Sequence, residues 1–373
     1  MRIERVEIFY TKMELVSPFE TSMGVETHEH HIQVRVDGEG LTGWGECAVA
    51  DTPHYSPETV ETAWHVLRDF LIPPVLGRKF GTVAEALPLW TKVRGHNMAK
   101  AGLESALWDA LAKGKGVSLA KFLGGVRDRV PVGVSVGLQP SPEALVRKVA
   151  AHLAEGYSRI KIKIAPGRDV ALVKAVRREY PDILLQVDAN SAFALGDVGV
   201  FKAMDDDNLL LIEQPLSYED IYDHAKLQKE LKTPICLDES IHSLADARAA
   251  VELQSCRVIN IKPGRVGGFS ESKAIHDFCA SAGIPVWHGG MLESGIGRAG
   301  NVALASLANF TLPGDISASR RYFKQDIVEP EFVIDKDSMM AVPTGPGIGV
   351  EVQTDRLDRV TVRKQEFRAG GNS

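Results

Sequence analysis

From about Val130 onward, short apolar runs alternate with longer stretches of helical period. The runs are VPVGVSV, RIKIKI, ILLQVDAN, LLLIEQP, PICLDES, RVINIKP and IPVWHGGM, and segments such as PEALVRKVAAHLAEG and YEDIYDHAKLQKEL lie between them. An apolar run followed by a helix, repeated, predicts parallel strands, because each return to a parallel neighbour needs a crossover. Seven such strands, with an eighth near Asp315-Ile316-Ser317, predict a TIM-type α/β barrel. A doubly wound open sheet is the alternative. It is expected to carry a glycine-rich turn after its first strand, and VSVGLQPSPE is not one.

The pattern before Val130 is different. RVEIFYTKMEL alternates as a strand, and HHIQVRV and LTGWGECAV read as a hairpin joined by Asp37-Gly38-Glu39-Gly40. Helical stretches are predicted from about Pro57 to Leu71 and from Val83 to Val93. In NMAKAGLESALWDALAKGKG, Leu103, Leu107 and Leu111 share one stripe, and Gly114 and Gly116 end it. The expected organisation is an α+β domain over 1–128, a barrel over 129–325, and a Pro- and Gly-rich tail over 326–373 that returns to the first domain.

Composition narrows the classes of function. The 373 residues suffice for more than one core, and the formal net charge is -6. No basic stripe is interleaved with aromatics, so nucleic acid is not expected as a partner. No run approaches the roughly 20 apolar residues of a membrane span, so no membrane role is expected. MRIERVEIFY lacks the apolar core of a signal peptide. Cys47, Cys236, Cys256 and Cys279 form no CxxC pair, as expected of reduced thiols in the cytoplasm.

The chemistry lies at the strand ends. RIKIKI offers Lys161 and Lys163, LQVDAN offers Asp188 and Asn190, LIEQP offers Glu213, CLDES offers Asp238 and Glu239, and VINIKP offers Lys262. From Lys163 through Asp188, Glu213 and Asp238 to Lys262 the steps are each about 25 residues, the length of one strand-helix unit. A single Asp after a strand ordinarily caps the next helix, and a single Lys there is ordinarily solvated. Five charged residues in phase on five successive strands point instead to a site at the C-terminal mouth of the barrel.

Three converging carboxylates cannot all stay ionised without a cation among them. Oxygen-only ligands select a hard ion. Mg²⁺ suits a site with open positions for substrate, Mn²⁺ is a possible substitute, and the lack of His or Cys argues against zinc. In strand order Lys163 and Lys262 flank Asp188, Glu213 and Asp238, so the two amines are expected to face each other across a bound substrate. A lysine with an ordinary pKa near 10.4 is a poor base at neutral pH. Lys161, two residues from Lys163 on the same strand face, is expected to lower it, as is the metal. The predicted reaction is removal of an α-proton from a carboxylate, with the enediolate stabilised by the metal.

These residues resemble the enolase superfamily, and within it the muconate lactonising subgroup. The KxK of Lys161 and Lys163, the ligands Asp188, Glu213 and Asp238, and Lys262 carry the likeness. GLESALWDALAKGKGVSLAKFLGG is similar to the superfamily's capping-domain helix. IEQPLSYEDIYDHAKLQKELKTPICLDES and GGMLESGIGRAGNVALASLANFTLPGDIS resemble the branch of o-succinylbenzoate synthases and N-succinylamino acid racemases. The resemblance implies a modified (β/α)₇β barrel under an α+β cap, and assembly as a homo-oligomer. It implies two activities on small carboxylates bearing a succinyl or other acyl group. One is syn-dehydration of 2-succinyl-6-hydroxy-2,4-cyclohexadiene-1-carboxylate in menaquinone synthesis, with Lys163 as base and Lys262 as electrostatic partner. The other is racemisation of N-succinylamino acids, in which both lysines exchange protons. Arg265, three residues after Lys262, accompanies racemase activity in this branch. FETSMG resembles the loop that closes over the substrate, with Phe19, Ser22 and Met23 as contacts. Asn190, Met291, Leu292, Glu293 and Ser317 are further expected contacts.

Other readings stay open on sequence alone. Dipeptide epimerase and muconate cycloisomerase use the same metal and lysines. A Schiff-base enzyme leaves the three carboxylates unexplained, and a non-catalytic binder on this scaffold could have lost any of the five strand-end residues, yet none is missing. Glu239 either pairs with a catalytic lysine or caps a helix. His288 is read as structural. His28, His30 and His31 are spaced as on an exposed strand and are assigned no metal.

Overall fold

The computed structural model describes residues 1–370. Its first three strands form a meander: β1 (Arg5–Thr21), β2 (Gly24–Gly38) and β3 (Leu41–Cys47). Glu39 and Gly40 both have positive φ between the paired Gly38 and Leu41, the conformation that a two-residue hairpin turn requires. Helix α1 (Asn97–Gly114) packs on β3. The fit is possible because β3 has no side chain there: a Cβ on Gly43 would lie 2.1 Å from the Ala106 carbonyl oxygen.

The barrel strands are β4 (Val134–Val136), β5 (Arg159–Lys163), β6 (Leu184–Asp188), β7 (Ile212–Glu213), β8 (Ile235–Leu237), β9 (Val258–Ile261) and β10 (Val286–His288). They pair in sequence order and all in parallel. The eighth position holds no ladder of its own. Phe310 bridges Val286 and Gly314 bridges Val132, which joins the two edges. The expected strand at 315–317 therefore lies earlier and is reduced to bridges. The architecture is a modified (β/α)₇β barrel beneath an α+β cap. The last strand, β11 (Thr361–Arg368), pairs antiparallel with β1 and completes a sheet of order β11-β1-β2-β3.

Local differences from the sequence pattern have local causes. The stretch from Val83 to Val93 forms two short 3₁₀ turns, Val83–Glu85 and Leu87–Trp90, because Pro88 cannot donate to a continuous helix. FETSMG is the end of a β-hairpin rather than a free loop: Phe19 pairs with Glu26, and the ladder slips between Glu14 and Phe19, around Pro18. The cap has its own core around Ile8, Val34, Trp64, Leu67, Trp90 and Leu103. Phe9, Met13, Leu15 and Trp44 instead join the barrel's core, so cap and barrel share apolar surface.

Candidate active site

All five residues of β5 are buried, which removes the reading of its lysines as a solvated face. In register, Lys163 sits beside Asp188 and Asp188 beside Glu213, while Glu213 pairs with Cys236, two residues before Asp238. Parallel pairing thus brings the charged ends of adjacent strands to one level. Lys161, Lys163, Asp188, Glu213, Asp238 and Lys262 are all buried.

The carboxylates and amines pair across this level. Lys163 Nζ donates to Asp188 Oδ2 at 2.6 Å and to Asn190 Oδ1 at 2.6 Å. Lys161 Nζ lies 2.9 Å from Glu213 Oε2, 3.2 Å from Asp188 Oδ2 and 2.5 Å from Asp315 Oδ2. Lys262 Nζ donates to Asp238 Oδ2 at 2.7 Å, and Arg265 pairs with Asp238 Oδ1. Arg265 also donates to the carbonyls of Ile241 and Asn260 and stands behind the carboxylate row.

Burial works against every one of these charges, and the neighbours decide the outcome. For Lys161 burial lowers the pKa, but Asp315, Glu213 and Asp188 raise it well above the ordinary lysine value. Lys262 is likewise held charged, by Asp238 and Tyr55 against burial. Asp188 and Asp238 are depressed despite burial, the first by Lys163 and Lys161, the second by Lys262 and Arg265. Glu213 goes the other way, pushed well up by burial and by the charge of Asp188. Lys161 is therefore a fixed cation, and it shares the Asp188 Oδ2 oxygen with Lys163.

The donor set suits a hard divalent cation. Asp188, Glu213 and Asp238 supply oxygen only, they sit on three neighbouring strands, and the crowding that raises Glu213 is what a cation among them relieves. Among the described residues no three Asp, Glu, His or Cys side chains point at one centre, because each carboxylate is turned onto an ammonium or guanidinium group.

A cavity of about 130 Å³ opens above this row, between cap and barrel. Lys163, Asn190 and Lys262 line its floor, and Phe19, Met23, Met291 and Leu292 line its walls. Ser22 docks the hairpin on the barrel by donating to the Asn190 carbonyl at 3.2 Å. The structure does not bring Ser317, Glu293 or Arg265 to the cavity wall. Ser317 donates to the Gly133 carbonyl at 3.2 Å, and Glu293 accepts from the Met291 amide at 2.8 Å. Glu239 accepts from Asn190 Nδ2 at 3.0 Å; burial, and then Asp238, push its carboxyl up to about 7.

Several site residues were not foreseen. Tyr55, from the cap segment DTPHYSPE, accepts from Lys262 Nζ at 2.9 Å and donates to Asp238 Oδ1 at 3.0 Å. No periodicity marks it. Asp315 bridges Arg159 and Lys161, and Trp287 lies beneath Lys161, its ring centre 4.9 Å from Nζ. The histidines of β2 are a correction. His30 and His31 are buried, because β2 is covered on both faces over residues 30–34, and His28 lines the cavity. His288 is buried, with its pKa lowered to about 3 by burial and then by Lys262.

Comparison with known proteins agrees with this geometry. Residues 3–124 match the family "Mandelate racemase / muconate lactonizing enzyme, N-terminal domain", and residues 144–356 match "Enolase C-terminal domain-like". The chain is 50% identical to an o-succinylbenzoate synthase of Bacillus subtilis, covering 100% of both chains. It is 50% identical to an N-succinylamino acid racemase of Amycolatopsis, covering 98% of this chain and 99% of that one. A crystal structure of an enolase superfamily member from Listeria innocua superposes with a TM-score of 0.95 at 41% identity, covering 99% of this chain and 100% of that one. Two family models that together span most of the chain, full-length identity and the shared fold thus agree, and the chain belongs to the enolase superfamily, in the branch that contains the o-succinylbenzoate synthases and N-succinylamino acid racemases.

Proposed function

We propose that this enzyme removes the α-proton of small carboxylates carrying a succinyl group, as an o-succinylbenzoate synthase and an N-succinylamino acid racemase. The observation that carries the reading is that Lys163 and Lys262 line one cavity, on opposite flanks of the Asp188, Glu213 and Asp238 row. Full-length relatives of both activities at 50% identity support it. Asp188, Glu213 and Asp238 would hold a divalent cation, Mg²⁺ in our assignment. When bound, that ion supplies positive charge for the substrate carboxylate and for the negative charge that gathers there as the α-proton leaves.

The chain's own groups do the rest. In racemisation, a neutral lysine on one side takes the α-proton, and the lysine opposite, as an ammonium, delivers a proton to the other face. Lys262, held charged by Asp238, is suited to be that donor. In dehydration, Lys163 takes the proton and then returns it to the departing hydroxyl, which a syn geometry places on the same face. Lys262 stays charged and steadies the developing anion. Phe19 and Met23 from the cap, with Leu292 from the barrel, exclude water from the reacting carbon. We assign the synthase reaction to menaquinone synthesis in the cytoplasm, in keeping with four free, buried cysteines.

The test is proton NMR of N-succinyl-L-phenylalanine with the enzyme in D₂O. The α-proton signal should disappear with Mg²⁺ and persist with EDTA, and the D-enantiomer should accumulate. Lys163→Ala and Lys262→Ala should each abolish racemisation while sparing exchange of one enantiomer. Persistence of the signal with Mg²⁺ would overturn the racemase assignment.

A further inference from the structure

Away from the lysines and carboxylates, one buried cap residue is tied into the barrel more tightly than its place at a strand end requires. Glu46, in β3, has a side chain with no exposure. Its Oε1 accepts from His31 Nδ1 at 2.6 Å and from the Ser294 amide at 3.0 Å. Its Oε2 accepts from Ser294 Oγ and from the Gly297 amide at 2.8 Å. Ser294 is the N-cap of the barrel helix α2 (Gly295–Ala305). A carboxylate of one domain therefore sits on the helix start of the other, where free amides and the helix dipole favour negative charge.

The segment just before that helix forms a wall of the cavity through Met291 and Leu292. Leu292 has φ of +55°, in the left-handed region that a leucine seldom occupies. Such a conformation persists only where its surroundings over-determine it. Two sets of bonds do so here. From the barrel side, Arg298 Nη2 donates to the Glu293 carbonyl at 2.7 Å and Glu293 Oε2 accepts from the Met291 amide. From the cap side, Glu46 grips Ser294, two residues after Leu292.

We propose that Glu46, held by His31, is a positioning residue that fixes Leu292 against the substrate side chain, so that this wall of the pocket is built only when the cap is docked. The proposal rests on the reading of the cavity as an acyl amino acid site. Glu46 touches neither the lysines nor the metal-ligand carboxylates. It acts through Leu292, so loosening it alters the fit of the side chain and leaves proton transfer intact.

The test compares α-proton exchange in D₂O for N-succinyl-L-phenylalanine and N-succinylglycine, which has no side chain. In Glu46→Gln, KM for the phenylalanine substrate should rise about tenfold with kcat little changed, and KM for the glycine substrate should stay near wild type. The shift should shrink in a Leu292→Gly background, where no strained leucine remains to be held, because contacting or coupled residues are not additive. His31→Gln should act in the same direction more weakly, and it serves if Glu46→Gln does not fold. Equal losses on both substrates, an unchanged KM for the larger one, or full additivity with Leu292→Gly would each overturn the proposal. Absence of exchange by the wild-type enzyme on both substrates would instead overturn the functional reading.

Discussion

At the scale of single residues, the two lysines of β5 divide their labour by environment. Lys161 is caged by Asp315, Glu213 and Asp188 and stays charged, whereas Lys163 lines the cavity with Asn190. Tyr55 gives Lys262 a partner that Lys163 lacks. Tyr55→Phe should therefore disturb proton transfer on one face more than on the other. We expect α-proton exchange of one N-succinylphenylalanine enantiomer to fall about tenfold and that of the other to change much less, a loss smaller than that of a general acid or base itself, since Tyr55 acts through Lys262. Equal losses for the two enantiomers would contradict a role tied to Lys262. Glu29 supplies a pH signature. Burial raises its carboxyl to about 8 against the opposing charge of His31, and Glu26, Glu293 and Glu46 add to the rise. It is neutral below that pH and negative above it, and it lines the cavity. KM for a dianionic succinyl substrate should therefore climb above about pH 8, and Glu29→Gln should flatten the climb.

At the scale of elements, the strand ends are legible in the sequence because a parallel barrel repeats them: equal spacing puts Lys163, Asp188, Glu213, Asp238 and Lys262 on one rim. What the pattern could not carry was set by tertiary contact. Tyr55 reaches the site from an aperiodic cap segment. His31 looks like a surface histidine until the barrel covers the second face of β2. The eighth barrel position is held by bridges too short to alternate. The contact of β3 with α1 makes a prediction of its own. A Cβ on Gly43 would meet the Ala106 carbonyl oxygen at 2.1 Å and Ala110 Cβ at 2.7 Å, and neither is a flexible side-chain end. Gly43→Ala should destabilise the protein by about 1–3 kcal/mol through overpacking, seen as a lower thermal midpoint. Its KM should not move, since no residue of β3 or α1 lines the cavity.

At the scale of the whole molecule, carboxylates from the cap close the joint by capping barrel helices. Glu104, on α1, accepts from the amides of Phe269 and Ser270, which open the helix Phe269–Ser281, and from Trp108 Nε1 at 2.9 Å. Glu46 does the same for α2, and its pairing with His31 gives the joint a pH window. Burial alone would raise the Glu46 carboxyl, but the charge and hydrogen bond of His31, with the bonds from Ser294, carry it from the ordinary 4.5 down to about 2. His31 is raised against burial by Glu46. A depressed carboxyl contributes stability above its unfolded value and loses it as pH falls toward its folded one. A raised histidine contributes below its unfolded value and loses it as pH rises through its folded one. The pair should therefore stabilise the docked cap most between about pH 4.5 and 6.5, the ordinary values of the two groups. Denaturant titrations of the wild type and Glu46→Gln across pH should show their stability difference flat in that interval and shrinking on both sides. Among the described residues Glu104 accepts from backbone amides and an indole rather than from a histidine, and burial raises its carboxyl. Glu104→Gln should accordingly lower stability without producing that plateau, which separates a charge-paired joint from one held by hydrogen bonds alone.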